Sequence, residues 1–138
     1  MLAIFAVLSL LLTLWQWVVT WRFPLNQRVE GRQFAPPVTL LKPLKGLDDK
    51  TMDCLRSWLK QDYSGAIQVL FGVASPEDPV CALVRELIQE SPGCNAELVI
   101  CKESLGVNAK VSTLIQLQRL AQHDVIVVSD ADVFVPPD

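Results

Sequence analysis

The 138-residue chain contains one histidine, four cysteines and no surplus of basic residues. Twelve Lys and Arg against fifteen Asp and Glu give a formal net charge of −3. The chain therefore lacks the overall positive field that attracts nucleic acid, and no nucleic-acid partner is expected. The cysteines form no C-x-x-C pair, which together with the single histidine argues against a structural zinc site. Cys81 and Cys101 fall in predicted apolar elements, and both are predicted to be small buried residues in a reducing compartment.

Charged residues are absent from one long stretch near the start of the chain. Twenty residues from position 2 onward contain no Asp, Glu, Lys or Arg, and twenty helical residues rise about 30 Å, the thickness of a bilayer's hydrocarbon core. Trp15, Trp17 and Trp21 lie toward the end of this stretch, where an interfacial aromatic belt is expected. Residues 1–22 are therefore predicted to be a transmembrane helix, followed by a juxtamembrane linker over residues 23–36.

The basic residues nearest the predicted helix all follow it. Arg22, Arg28 and Arg32 come at its end or after it, and no Lys or Arg precedes it. The positive-inside rule then predicts a single-pass protein of the cell (inner) membrane whose N-terminus is outside and whose remainder is cytoplasmic. A cleaved signal peptide is the alternative, but it needs a basic n-region and a small-x-small cleavage site. The sequence offers neither, so the membrane anchor is favoured.

Residues 37–138 alternate between two hydrophobic periodicities. Strands are predicted at 38–41, 67–73, 98–101 and 125–128, and helices at 52–59, 80–88 and 111–121. This βαβαβαβ order predicts an α/β fold with a mainly parallel sheet and right-handed crossovers. The last strand is a continuous apolar run, which predicts that both of its faces are covered. Ligands of such sheets bind beyond the carboxyl ends of the strands, here residues 42–48, 74–79, 102–110 and 129–132.

Two acidic residues, Asp130 and Asp132, directly follow the fourth predicted strand. Their spacing can place both carboxylates on one side at the strand end, where a divalent cation relieves their mutual repulsion. Oxygen ligands of this kind suit Mg²⁺ or Mn²⁺, and such a cation can bridge the phosphates of a nucleotide. The alternative is a solvated turn or a helix cap without a metal.

Charged residues also follow the other predicted strands. Asp78 precedes a proline and can be either the N-cap of a helix or an acceptor for a nucleobase or ribose. Lys42 and Lys45 after the first strand can contact a diphosphate or belong to a solvated turn. Asn108 is a candidate N-cap, and Lys110 beside it lies at a positive helix end where an anion can bind. Asp48 and Asp49 are cap candidates for the first helix of this region.

Five strings in this order resemble the ceramide glucosyltransferase family, and most closely its bacterial relatives, which include hopanoid-associated glycosyltransferases. The strings are Leu40–Gly46, Gln61–Tyr63, Glu77–Pro79, Gly106–Lys110 and Ser129–Asp132. The resemblance implies a GT-A fold with a Rossmann-like nucleotide-sugar domain. It also implies transfer of a sugar from a UDP-sugar to a membrane lipid, such as a sphingolipid or hopanoid, with inversion.

The same resemblance implies roles for individual residues. Asp78 is expected near the uridine and Asp130 near the donor. Asp132 would complete with Asp130 the pair that holds Mg²⁺ or Mn²⁺. Lys45 and Lys110 fall in strings expected to line the donor pocket.

The family also has a third Asp, expected as the general base, and a Q/R-x-x-R-W string, and neither occurs in this sequence. Both are expected beyond residue 138. Residues 37–138 are thus expected to be the N-terminal, nucleotide-sugar-binding part of a longer enzyme, unable to turn over alone.

Two alternative functions stay open. The run Val127–Val133 also resembles the strand-D-x-D-x-V signature of haloacid-dehalogenase-like phosphatases, with Asp130 as nucleophile, and the chain can be an inactive membrane-tethered module.

Overall fold

The computed structural model describes residues 2–23 and 34–137. The chain divides into two compact units, residues 1–31 and residues 32–138. The first contains helix α1, Leu2–Arg22, whose side chains are exposed from residue 3 onward. Its segment Ala3–Arg22 has a mean hydropathy of 1.9 and is long and apolar enough to cross a membrane. Trp17 and Trp21, one turn apart, stack with ring centroids 6.3 Å apart.

The predicted linker, residues 23–36, falls mostly on residues 24–33, which lie outside the described residues. Arg28 and Arg32, on which the predicted orientation in the membrane partly depends, lie there too. The boundaries of the transmembrane segment and the linker therefore stay predictions.

The second unit alternates strands and helices, as the hydrophobic periodicity predicts. In chain order its elements are β1 Val38–Leu44, α2 Thr51–Leu59, β2 Ile67–Val73, α3 Val80–Glu90, β3 Asn95–Ile100, α4 Ala109–Gln118 and β4 Val125–Val128. The strands form one four-stranded sheet in the order β3-β2-β1-β4, and every neighbouring pair is parallel. The predicted α/β class with a parallel sheet is confirmed, and the carboxyl ends of β1, β2 and β4 meet at one edge.

Several element boundaries differ from the predicted ones. β1 continues to Leu44, three residues beyond its predicted end, because it stays paired with β2 through Leu44 and Val73. β3 begins at Asn95 and α4 at Ala109, earlier than the periodicity indicates. The predicted capping of α2 by an aspartate side chain is wrong, since Lys50 occupies the N-cap without a side-chain hydrogen bond.

Apolar side chains pack on both faces of the sheet. Leu40, Phe71 and Val84 belong to the larger cluster, between the sheet and helices α2 and α3. The smaller cluster contains Leu41, Leu70, Cys101 and Leu117, which joins the other face of the sheet to helix α4. Cys81 and Cys101 are 2% and 3% exposed, which confirms their predicted burial. Burial raises the pKa of both thiols above its ordinary value.

The prediction that both faces of β4 are covered is wrong for the part of the chain that the structure describes. Residues 125–128 are 37–52% exposed. β4 is the edge strand and pairs with β1 alone among the described strands. A continuous apolar run predicts a preference for apolar surroundings, whereas the position of a strand in the sheet depends on the order in which the strands pair.

Lys42 is an unusual member of the core, because its side chain is wholly buried. It lies on β1 between Leu40 and Leu44, and both of these leucines belong to the larger apolar cluster. Since successive strand residues point to opposite faces, the lysine shares the core-facing side of the strand. Burial lowers the pKa of Lys42 from 10.5 to about 8, while Cys54, Asp130 and Asp132 raise it in part.

Gly72 in β2 allows helix α4 to approach the sheet closely, and we expect Gly72→Ala to lower the free energy of unfolding by about 1 to 3 kcal/mol. A Cβ there would lie 2.7 Å from Thr113 Cγ2 and from Leu117 Cδ1. The matched control is Gly93→Ala, where nothing lies within 4 Å of the added carbon. Urea denaturation of the two variants measures the effect, and equal stabilities would contradict the close approach.

The buried Lys42 predicts a pH-dependent stability that Lys42→Met removes. Its pKa is about 8 in the folded chain and near 10.5 when exposed, so the unfolded state binds more protons between these values. The wild-type free energy of unfolding should rise relative to that of the variant by about 1 to 3 kcal/mol between about pH 7.5 and about pH 10.

Urea denaturation in the presence of a chelator measures this difference. The buried cysteines, whose raised pKa values act in the opposite direction, are common to both proteins and cancel in the comparison. Parallel pH profiles of the two proteins would show that the lysine is not desolvated.

Candidate functional site

A cleft of about 470 Å³ lies at the carboxyl edge of the sheet. The end of β1, the residue stretches after β2 and β4, and the first turn of α4 all contribute to it. Four residues predicted from the sequence line this one cleft, namely Lys45, Asp78, Lys110 and Asp130. They are separated by up to 85 positions in the chain and meet because their strands are parallel.

Asp78 joins two of the loops that form the cleft. The backbone N–H of Gly46 donates to both carboxylate oxygens, at 3.1 and 3.0 Å, and the N–H of Val80 donates to Oδ1 at 3.0 Å. The N-cap position of α3 is Pro79 rather than the predicted Asp78, but the carboxylate of Asp78 still accepts from the first N–H of the helix. A carboxylate has about four acceptor positions, so Asp78 can cap the helix and still accept a bond from a ligand.

Lys110 and Asp130 form an ion pair across the cleft between Nζ and Oδ1. Both side chains are about half exposed, so solvent screens the pair and it contributes little to stability. Asn108 is the N-cap of α4, as predicted, and its side chain accepts from the N–H of Val111 at 3.2 Å. The positive end of α4 thus faces the cleft together with Lys110.

Lys45 is exposed and makes no hydrogen bond or ion pair with any residue in the described part of the chain. It therefore adds an unpaired positive charge to the cleft. Two lysines and the end of a helix dipole can together bind an anion such as a diphosphate.

Asp132 lies in a different cavity. It lines an adjoining depression of about 430 Å³, to which Asp48 and Asp49 also contribute, and Ala131 lines both cavities. The two acids therefore lie on either side of Ala131, with Asp130 lining one cavity and Asp132 the other. Their assignment as a metal pair stays a prediction.

Lys42 is not a ligand-facing lysine, and that prediction is wrong. It lies within β1 with its side chain buried, and its Nζ donates to the backbone oxygen of Asp130 at 2.7 Å and to Ser129 Oγ at 3.1 Å. Trp58 was not singled out from the sequence, yet its ring lies 4.5 Å from the same Nζ. One feature of the sequence could have indicated the buried lysine. Lys42 alternates with the apolar residues Leu40 and Leu44, which places all three side chains on the same face of the strand.

The residues at the cleft can supply only some of the ligands of a hard divalent cation. In the described residues, no group of three His, Cys, Asp or Glu side chains is placed to hold a metal ion. Mg²⁺ commonly uses one or two carboxylates and takes its other ligands from water and substrate phosphates. The exposed carboxylates of Asp130 and Asp132 match that donor set.

Comparison with known proteins places this geometry in a family. The sequence model of the family described as Glycosyl transferase family 21 matches residues 1–138. Ceramide glucosyltransferase 1 of Caenorhabditis elegans is 30% identical over 116 residues, which cover 84% of this chain and 25% of that protein. Ceramide glucosyltransferase of Candida albicans is 30% identical over 108 residues, 70% of this chain and 20% of that protein. The chain thus spans about a quarter of the length of these curated relatives.

Solved structures share the fold. The mannosyltransferase PcManGT from Pyrobaculum calidifontis, in complex with GDP-Man and Mn²⁺, superposes with a TM-score of 0.70 at 23% identity over 91% of this chain and 36% of its own. S. aureus TarS 1-349 in complex with UDP-GlcNAc gives a TM-score of 0.56 at 16% identity, covering 73% of this chain and 28% of its own. These likenesses confirm the predicted α/β fold of GT-A type. Because the family match extends over all 138 residues, this chain belongs to glycosyl transferase family 21.

Proposed function

We propose that residues 37–138 are the donor-binding part of a membrane-anchored glycosyltransferase that moves a sugar from a UDP-sugar to a membrane lipid with inversion. One observation carries this proposal. Lys45, Asp78 and Asp130 come from three separate loops and Lys110 comes from the first turn of α4, and all four line a single cleft at the carboxyl edge of a parallel sheet. Such an edge is where α/β sheets of this type bind nucleotides.

The charges of the cleft suit a nucleoside diphosphate. Lys45 and Lys110 would contact the diphosphate, and Asp78 would accept a hydrogen bond from the uridine. The similar structures with GDP-Man and with UDP-GlcNAc support a nucleotide-sugar donor. The choice of UDP, rather than another nucleotide, rests on the family resemblance of the five sequence strings.

A divalent cation, Mg²⁺ or Mn²⁺, would be held by Asp130 and Asp132. When bound, it would supply positive charge against the charge that develops on the leaving diphosphate. Lys110 would have to release Asp130 for that role and is then free to contact a phosphate. The Mn²⁺ in the PcManGT complex supports this assignment.

The acceptor and the location follow from two further observations. The curated relatives are named ceramide glucosyltransferases, and ceramide is a lipid. Helix α1 is long and apolar enough to span a bilayer, which would hold the domain near an acceptor dissolved in the membrane. Arg22 at the end of α1 supports a cytoplasmic domain of a single-pass cell-membrane protein.

Inversion also needs a base that removes the proton from the acceptor hydroxyl. None of the residues assigned above has this role, and the family resemblance implies that the base lies beyond residue 138.

The phosphatase alternative loses its support, since the sequence relatives and the structural neighbours are glycosyltransferases. Failure of the wild-type chain to bind UDP in the experiment below would favour the inactive-module alternative.

Metal-dependent binding of UDP tests the proposed donor site. Calorimetry on the full chain in detergent micelles should show UDP binding that is at least about tenfold tighter with Mn²⁺ than with a chelator. Asp130→Asn should remove most of that difference, because it deletes a charged ligand. Asp124→Asn is the matched control, since this exposed residue precedes β4 at the opposite end of the strand. Absence of any UDP binding by the wild-type chain would contradict the proposal.

The two lysines of the cleft should distinguish UDP from uridine. Lys45→Met and Lys110→Met should each weaken UDP binding by about threefold to tenfold, because each removes a charge-assisted contact to the diphosphate. Binding of uridine should be unchanged in both variants. A comparable loss for uridine would show that the lysines do not contact the phosphates.

A further inference from the structure

The residues that support the acidic turn, Ser129–Val133, come from the core of the domain. We propose that Lys42 and Trp58 are positioning residues that hold this turn in the shape that binds a divalent cation together with a nucleoside diphosphate. The inference rests on the proposed function, because it assigns a role toward the same site. It concerns two residues that do not line the cleft themselves.

Lys42 holds the first half of the turn. Its side chain is wholly buried, and its Nζ donates to the backbone oxygen of Asp130 at 2.7 Å and to Ser129 Oγ at 3.1 Å. The turn also has a backbone contact with β1, from the N–H of Ser129 to the oxygen of Leu41 at 3.1 Å. The lysine therefore extends the attachment to the sheet as far as Asp130, two residues beyond Val128, where strand pairing ends.

Trp58 holds the second half of the turn and also packs on the lysine. Its Nε1 donates to the backbone oxygen of Val133 at 2.9 Å, while its ring lies 4.5 Å from Lys42 Nζ, within the range of a cation–π contact. One helical side chain thus links the end of the turn to the residue that holds its beginning.

Helix α2 continues this attachment after the turn. Ser57 Oγ accepts from the N–H of Val135 at 3.1 Å, and Gln61 Nε2 donates to the oxygen of Pro136 at 3.0 Å. The segment that leaves the turn is therefore tied to the last turn of α2, which also carries Trp58, and to Gln61 just after the helix. The turn is held at both ends, and Ala131 and Asp132 lie between the two points of attachment.

The pattern of partners argues for a role toward a ligand. Lys42 and Trp58 use only backbone oxygens and one hydroxyl of the turn, so they leave both exposed carboxylates unbonded by the core, and Asp130 pairs only with Lys110 of the cleft among the described residues. Lysine is rarely fully buried, because desolvation of its ammonium is unfavourable. Even a complete buried ion pair can often be replaced by apolar residues of similar volume without loss of stability. Stability alone therefore does not account for a lysine at this position.

Lys42→Met tests the proposal, because it keeps the length of the side chain and removes the donors. With the full chain in detergent micelles, the affinity for Mn²⁺ in the presence of UDP should fall by about threefold to tenfold. Trp58→Phe keeps an aromatic ring near residue 42, removes the bond to Val133, and should weaken binding in the same direction. Lys60→Met, the same substitution at an exposed lysine just after α2, is the matched control and should leave affinity unchanged.

A purely structural role is distinguished by measuring thermal unfolding and uridine binding in parallel. We expect each variant to bind uridine like wild type at a temperature well below its unfolding midpoint, with the loss confined to the metal-dependent part. Should Lys42→Met fail to fold, Trp58→Phe and Ser129→Ala provide the same comparison. Ser129→Ala removes the acceptor of Lys42 at 3.1 Å together with the bond that the hydroxyl donates to the oxygen of Asp130 at 3.2 Å.

The outcomes distinguish a failure of the positioning role from a failure of the proposed donor site. If wild type binds Mn²⁺ and UDP, and the folded variants bind both equally well, the positioning role is overturned while the proposed donor site stands. If the variants lose stability and keep full affinity in the folded state, the positioning role is likewise overturned. If the wild-type chain binds no UDP at all, the donor site and the positioning role are both rejected.

Discussion

Parallel pairing of β1 with both β2 and β4 is the constraint on which the candidate site depends. Because the three strands run in the same direction, the residues that follow them emerge at one edge of the sheet. Lys45, Asp78 and Asp130 meet there although they are far apart in the chain. The faces of β1 and β2 are covered mainly by apolar side chains, and their buried polar residues are bonded within the domain. The polar residues at the carboxyl edge are therefore the ones placed to contact a ligand.

A buried polar network fixes the opposite edge of the same strands. Gln68 Oε1 accepts from Thr39 Oγ1 and from the N–H of Gln122, both at 2.9 Å, while Gln68 Nε2 donates to the oxygen of Leu120 at 3.2 Å. These bonds tie the connection between α4 and β4 to β1 and β2. They help to set the register of β4, and the register determines where the acidic turn emerges. Among the described residues no buried side-chain nitrogen or oxygen lacks a partner.

Local patterns predicted the elements better than their ends. The N-cap at Asn108 and the burial of Cys81 and Cys101 follow from neighbours in the sequence, and the structure has them. The end of β1 was misjudged because a lysine and a proline interrupt its apolar run. Pro43 is tolerated in the strand because β4 pairs with β1 only as far as Leu41, so no described strand pairs with that side of β1 at Pro43.

The sequence by itself determined the alternation of strands and helices, the apolar N-terminal helix and the polar residues that end at the carboxyl edge. Hydrophobic period and strand-end position are local properties, so they can be read without the fold. Only the tertiary structure decided that Lys42 lies in the core beneath the acidic turn, that β4 is the exposed edge of the sheet formed by the described strands, and that Asp130 and Asp132 open to adjoining cavities. Each of these depends on elements distant in the chain, because strand order and the surroundings of a side chain are set by packing rather than by its neighbours in sequence.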